Sequence, residues 1–238
     1  MKEVIAMHGW GGDSNTWKKW SEQFRENQWI WKSVERGYGD LQPFRPNWGQ
    51  SSSKNYPERR VVIAHSLGPH LIRSEVLEKA TDVILLCSFS RFIPLGTESR
   101  YLKPALQGMK KQIGTPQEKA MLTNFLKKAC QPESFITIPP GPIQTGLSLE
   151  GREKLLVDLE LLIQTKGLPQ GFPKHSKVLI VQGEEDAIVA PSAKSSLLND
   201  LHKHLETEPT HWNLPHAGHL ILQPGLIKRV RNWLVSNP

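Results

Sequence analysis

Val61-Val62-Ile63-Ala64-His65-Ser66-Leu67-Gly68 reads as a buried strand that runs straight into a sharp turn. The β-branched run from Val61 to Ala64 suits a parallel strand covered on both faces. Ala64 and Gly68 stand two residues before and two after Ser66. Small residues there let the backbone turn tightly and lift the serine hydroxyl above the strand end. A helix from Leu67 to Ala80 is predicted to leave the turn, with Pro69 in its first turn, where proline is tolerated. Ser66 is the candidate nucleophile.

A serine hydroxyl is a weak nucleophile near neutral pH and needs a base within hydrogen-bond reach. Pro215-His216-Ala217-Gly218-His219-Leu220 offers two histidines. His219, in a Gly-His pair ahead of a terminal helix, is the candidate base, and His216 is its competitor. The base in turn needs an acid that fixes its tautomer and stabilises the imidazolium. Gly183-Glu184-Glu185-Asp186-Ala187-Ile188-Val189 follows a strand-like run and supplies three carboxylates. Asp186 is the candidate, because the apolar residues after it anchor its loop, whereas Glu184 and Glu185 read as solvated. An oxyanion requires preplaced N–H donors. Leu67, next to the nucleophile, supplies one. Trp10, in the glycine-rich loop His8-Gly9-Trp10-Gly11-Gly12, supplies the other, and its indole is expected to wall the substrate pocket.

Further strands are predicted at Val4 to Met7, Trp29 to Val34, Val83 to Cys87, Val178 to Val181 and Thr210 to Leu214. Helices are predicted from Asp13 or Ser14 toward Gln28, near Ser192 to Leu205, and from Pro224 to Val235. Strands alternating with helices imply an α/β fold with a mostly parallel sheet flanked by helices. Residues 37–57, rich in Gly, Pro, Ser and Asn, read as a long surface loop. The stretch 94–174 breaks the rhythm, with helical segments at 103–113, 116–130 and 149–165 and no convincing buried strand. The expected organisation is a sheet core of residues 1–93 and 175–238 with an inserted helical cap, or lid, at 94–174.

The chain of 238 residues carries a formal net charge of +7, which favours acidic partners. Finger spacing, an RNA-binding aromatic motif and a basic helix are all missing from the sequence, so nucleic acid is not expected. His202 and His204 stand two apart with no ligand quartet around them, and no metal or cofactor is expected. The two cysteines suggest no disulfide framework, and Cys87 reads as a core thiol. The opening residues do not resemble a signal peptide and no apolar run is long enough for a membrane span. A cytoplasmic protein, favoured as a monomer, is the expectation.

The elbow at Ser66, the oxyanion loop and the order Ser, Asp, His together resemble the α/β-hydrolase superfamily over nearly the whole chain. The chain resembles more closely the pimeloyl-[acyl-carrier protein] methyl ester esterases of biotin synthesis. The resemblance rests on His8-Gly9-Trp10-Gly11, on Leu102 to Gln112, on Asn124-Phe125-Leu126 and on Leu147 to Leu162. It implies hydrolysis of the methyl ester of a pimeloyl chain carried on phosphopantetheine. It further implies that Phe125, Leu126, Lys127, Lys128 and Ala129 join Trp10 at the substrate; His65, beside the nucleophile, is a further expected substrate contact, at a position where the best-known form of that family has a tryptophan. Lys110, Lys111, Lys119, Lys127 and Lys128 would hold the acidic acyl-carrier protein. A general carboxylesterase for small acyl esters is the first alternative, then a carbon–carbon bond hydrolase or lyase on the same scaffold. A non-catalytic binding module is the reading from another class.

Overall fold

The computed structural model describes residues 2–50 and 58–237. The apolar runs become six strands: β1 (Lys2–Met7), β2 (Ile30–Ser33), β3 (Arg59–His65), β4 (Asp82–Leu86), β5 (Lys177–Gly183) and β6 (Thr210–Leu214). They form one sheet in the order β2-β1-β3-β4-β5-β6, and every neighbouring pair is parallel. Numbered in chain order, the helices are α1 (Lys18–Arg25), α2 (Gly68–Leu71), α3 (Ser74–Leu77), α4 (Ser99–Gln112), α5 (Glu118–Cys130), α6 (Pro142–Thr145), α7 (Leu149–Gln164), α8 (Pro191–His204) and α9 (Leu226–Ser236).

Alternate side chains along a strand serve opposite faces of the sheet. Val4, Ala6, Val61, Ile63, Leu179 and Val181 pack with Phe24 of α1 and Val230 and Leu234 of α9. Ile5, Met7, Val62, Ala64, Val83, Leu85 and Ile180 pack on the other face with Val76 and Leu77 of α3 and Leu197 and Leu201 of α8. Each fully buried Val, Ile or Leu contributes about 2 kcal/mol. This two-sided burial is why the central strands read as continuous apolar runs. The tryptophans Trp17, Trp29, Trp31 and Trp233 belong to the first of these cores.

Among the described residues, the elements between β4 and β5 are all helical. Leu106 of α4, Leu122 of α5 and Leu155, Leu159 and Leu162 of α7 pack on Trp10, Leu67, Phe89 and Val189. Those four residues follow the C-terminal ends of β1, β3, β4 and β5. The helical segment therefore lies over the end of the sheet where the candidate residues gather. Among the described residues, no helix is long and apolar enough to cross a membrane.

Three local expectations change. The helix predicted from Leu67 to Ala80 is split into α2 and α3, with Ile72 and Arg73 extended between them. Ile72 is drawn into the second core, and the Arg73 guanidinium bonds to Pro46 O and to the Asn47 side chain. Helix α4 begins at Ser99 rather than Lys103, so Pro104 lies inside it. The described part of the expected surface loop is irregular but pinned: Tyr38 is fully buried, and the Trp48 indole donates to Val76 O at 2.8 Å. Residues 51–57 of that loop lie outside the described residues.

Candidate active site

β3 delivers Ser66 in a left-handed backbone conformation, at φ 55°. A non-glycine residue held there stores strain, a feature that clusters at functional sites. The turn is locked by the Ser66 N–H donating to Leu86 O at 2.9 Å. It is tight enough that a Cβ on Gly68 would come within 2.7 Å of Met7 O. A side chain at that position would push β1 and β3 apart, which is the steric reason for a glycine two residues after the serine.

His219 comes from the loop between β6 and α9, and Asp186 from the loop after β5. The structure brings both to Ser66. The Ser66 hydroxyl lies 3.0 Å from His219 Nε2, and His219 Nδ1 lies 3.0 Å from Asp186 Oδ2. One tautomer serves both bonds, with Nδ1–H donating to the carboxylate and Nε2 accepting from the hydroxyl. Asp186 Oδ1 accepts the N–H groups of Ile188 at 2.8 Å and Val189 at 3.0 Å, so its loop is closed on its own carboxylate. Burial pushes the Asp186 carboxyl up. The charge and hydrogen bond of His219, with the two N–H groups, outweigh that and hold it well below the usual carboxylate range.

The competing residues sit elsewhere. His216 is 89% exposed and pairs with Glu185, also exposed, at 3.2 Å. Glu184 is exposed as well. Cys87 is buried beside Asp186 and His219; its Sγ, an Asp186 oxygen and a His219 nitrogen lie within 4.8 Å of one another. Burial and the Asp186 charge push the Cys87 thiol well up, so the sulfur stays a neutral weak donor and contacts Gly218 O at 3.7 Å.

The loop after β1 faces the elbow. A Cβ on Gly9 would come within 3.1 Å of Ser66 Cβ. Among the described residues, the backbone N–H groups of Trp10 and Leu67 have no hydrogen-bond acceptor. The Trp10 indole N–H donates to Leu155 O of α7 at 2.9 Å, and its ring meets Phe125 of α5 edge-on at 5.2 Å. Trp10 thus joins the loop to two helices of the overlying segment. Ser66 and His219 are only 6% and 3% exposed beneath it.

Other residues singled out from the sequence are spread over α4 and α5. Leu126 is half-buried and Ala129 buried, whereas Lys119, Lys127 and Lys128 are exposed. Lys111 is exposed too, but Lys110 is paired with Glu160 at 2.7 Å. His65 turns its ring toward His219, with Nε2 2.8 Å from His219 O.

Sequence reasoning missed a buried polar network behind the loop that follows β1. Asp158 of α7 accepts two bonds from Arg36 and one from Tyr38, each of 2.6 Å. Next to it, His8 Nδ1–H donates to Gly9 O at 2.9 Å, and His8 Nε2 accepts the Arg36 N–H at 3.2 Å. Burial raises the Glu35 carboxyl, but the neighbouring His8 ring, 3.7 Å away, and the N–H groups of Gly37 and Ser14 bring it down to about 2. One signal was available: Asp158 stands among Leu155, Leu159 and Leu162, a carboxylate at helical spacing within an apolar stripe.

No protein-family model matches the chain, and no curated protein matches it by sequence. Solved structures do. An esterase from Exiguobacterium antarcticum superposes over 100% of this chain and 91% of its own, with a TM-score of 0.61 and 15% identity. A thermophilic esterase from Thermogutta terrifontis covers 99% of this chain and 90% of its own, with a TM-score of 0.62 and 16% identity. A bromoperoxidase from Bacillus anthracis covers 99% and 91%, with a TM-score of 0.66 and 14% identity. With the six-stranded parallel sheet, these likenesses show the α/β-hydrolase fold.

Proposed function

We propose that this chain of α/β-hydrolase fold is a serine carboxylester hydrolase with Ser66 as nucleophile, His219 as general base and Asp186 as the orienting acid. The observation that carries the reading is the unbroken chain Ser66 Oγ, His219 Nε2, His219 Nδ1, Asp186 Oδ2, with both links at 3.0 Å. Ser66 Oγ attacks the ester carbonyl carbon as its proton passes to His219 Nε2. The oxyanion accepts from the Leu67 and Trp10 N–H groups. His219 returns the proton to the leaving alcohol, and an acyl-enzyme remains. Water then attacks with His219 again as base, releasing the acid and restoring the serine. Asp186 stabilises the imidazolium in both halves. Turnover of a nitrophenyl ester by the purified protein, lost in Ser66→Ala, tests the reaction class.

The substrate we favour is the methyl ester of a pimeloyl chain on an acyl-carrier protein. In this reading the helical segment 94–174 acts as a lid over the site. Its support is the sequence resemblance within that segment and the exposed Lys111, Lys119, Lys127 and Lys128. An acidic carrier would be steered to such a face. Lys110, spent on Glu160, is the weakest member of that set. Growth without biotin of a strain lacking its own such esterase, when given this gene, tests the assignment. The near-complete cover over Ser66 and His219 instead favours a general esterase for small acyl esters, the second reading.

A further inference from the structure

The loop that carries His219 is under backbone strain on both sides of the ring. His216 and Ile221 are both non-glycine residues at positive φ, 54° and 44°. Such conformations persist only where the surroundings over-determine them. Part of the hold comes from the Glu185 N–H, which donates to Ala217 O at 2.9 Å. The hold on His219 itself comes from His65. Its Nε2 lies 2.8 Å from His219 O, and the two ring centroids are 4.9 Å apart. A carbonyl oxygen only accepts, so the shared proton sits on His65 Nε2. On the ring's other side, a Cβ at Gly9 would come within 2.9 Å of His65 Nδ1. The imidazole therefore fills the space between the loop after β1 and the backbone of the base.

We propose that His65 is a positioning residue, which fixes the backbone of His219 against the oxyanion loop so that the base keeps its line to Ser66 and Asp186. The proposal rests on the hydrolase reading of this site. Its hydrogen bond goes to the backbone of His219, so His65 acts through that residue. It suits the role because it stays uncharged. Burial and the neighbouring His219 push its pKa down to about 3, against the opposing pull of its bond to His219 O and of Asp186. A neutral ring adds no repulsion when His219 becomes an imidazolium.

Three variants test this. His65→Met fills similar space without a donor, His65→Asn has a donor too short to reach His219 O, and His65→Gln places an amide N–H near the lost Nε2–H. A misplacement of about 1 Å at a catalytic group can cost about 100-fold. Met and Asn are expected to lower kcat about 10- to 100-fold with KM within about twofold. Gln is expected to recover most of the loss. Proton NMR of the His219 Nδ1–H, bonded to Asp186, provides a readout that needs no substrate: its low-field signal should broaden or move in Met and Asn and return in Gln. Unchanged kcat and an unchanged signal in Met and Asn would overturn the proposal. So would a Gln variant as impaired as Met, which would assign His65 a packing role only. If the wild-type protein cleaves no ester, the hydrolase reading fails, while the NMR comparison still decides whether His65 holds His219.

Discussion

Arg36 holds Asp158 through two parallel hydrogen bonds of 2.6 Å, across 122 residues of chain. The carboxylate is 1% exposed and sits in α7, so the pair fastens the helical segment to the loop after β2. Removing one partner of a buried pair leaves the other charge uncompensated, at a cost of about 3–5 kcal/mol. Arg36→Met is expected to lower the unfolding free energy by about 3 kcal/mol in urea titrations. Adding Asp158→Leu to it should recover much of that loss. Equal stability of Arg36→Met and wild type would show that the pair does not fasten the segment.

His219 and His216 are three residues apart, yet only His219 reaches Ser66. His219→Gln should lose about 1000-fold or more in kcat/KM, whereas His216→Gln should stay within about twofold. Nitrophenyl acetate hydrolysis compares them directly. A dead His216→Gln would reverse the choice of base.

Three groups of the folded chain give stability the same pH sense. Glu35, brought from 4.5 to about 2, and Asp186, also depressed, stay ionised in the fold after the unfolded chain has begun to take up protons. Their contribution is present above the ordinary carboxylate range and lost as pH falls through the folded values. His65, brought from 6.5 to about 3, stays neutral in the fold while the unfolded chain protonates below its ordinary value. Stability should therefore rise with pH up to about 6.5. His65→Gln should flatten the rise between about pH 5 and pH 7, leaving a smaller slope from His70 and His211, which are also lowered. Urea midpoints at the two pH values measure it; an undiminished slope in the Gln variant would contradict the assignment to His65.

The central strands and the elbow were legible because their constraints are local. Two-sided burial writes itself as Val61 to Ala64, and the closeness of Met7 O demands Gly68. Asp186 and His219 were findable because each follows a strand-like run at the end of the sheet where Ser66 emerges. What could not be read depends on distant partners. Nothing near Ile72 signals a break in the helix, since the break is imposed by the second core and by Pro46 and Asn47. Tyr38 looked like loop surface because its partner, Asp158, lies 120 residues on. His65 could be noticed beside Ser66, but its bond to His219 O is visible only in three dimensions.

The exposed lysines of α5 separate the two substrate readings. Lys119→Glu with Lys127→Glu and Lys128→Glu is expected to raise KM for a carrier-bound ester by about tenfold at low salt, an effect that added salt should shrink. Turnover of a free small ester should stay within about twofold. Loss on both substrates would mean a damaged helix, and no loss on either would remove the carrier-docking role of this face.

Reaction with a fluorophosphonate, followed by intact-protein and peptide mass spectrometry, tests the central claim most directly. The reagent needs an activated serine and no knowledge of the substrate. The expected result is one adduct, on Ser66, formed at a rate that falls by about 1000-fold in His219→Gln and with no adduct in Ser66→Ala. An unmodified wild-type protein, or an adduct on another residue, would contradict the account.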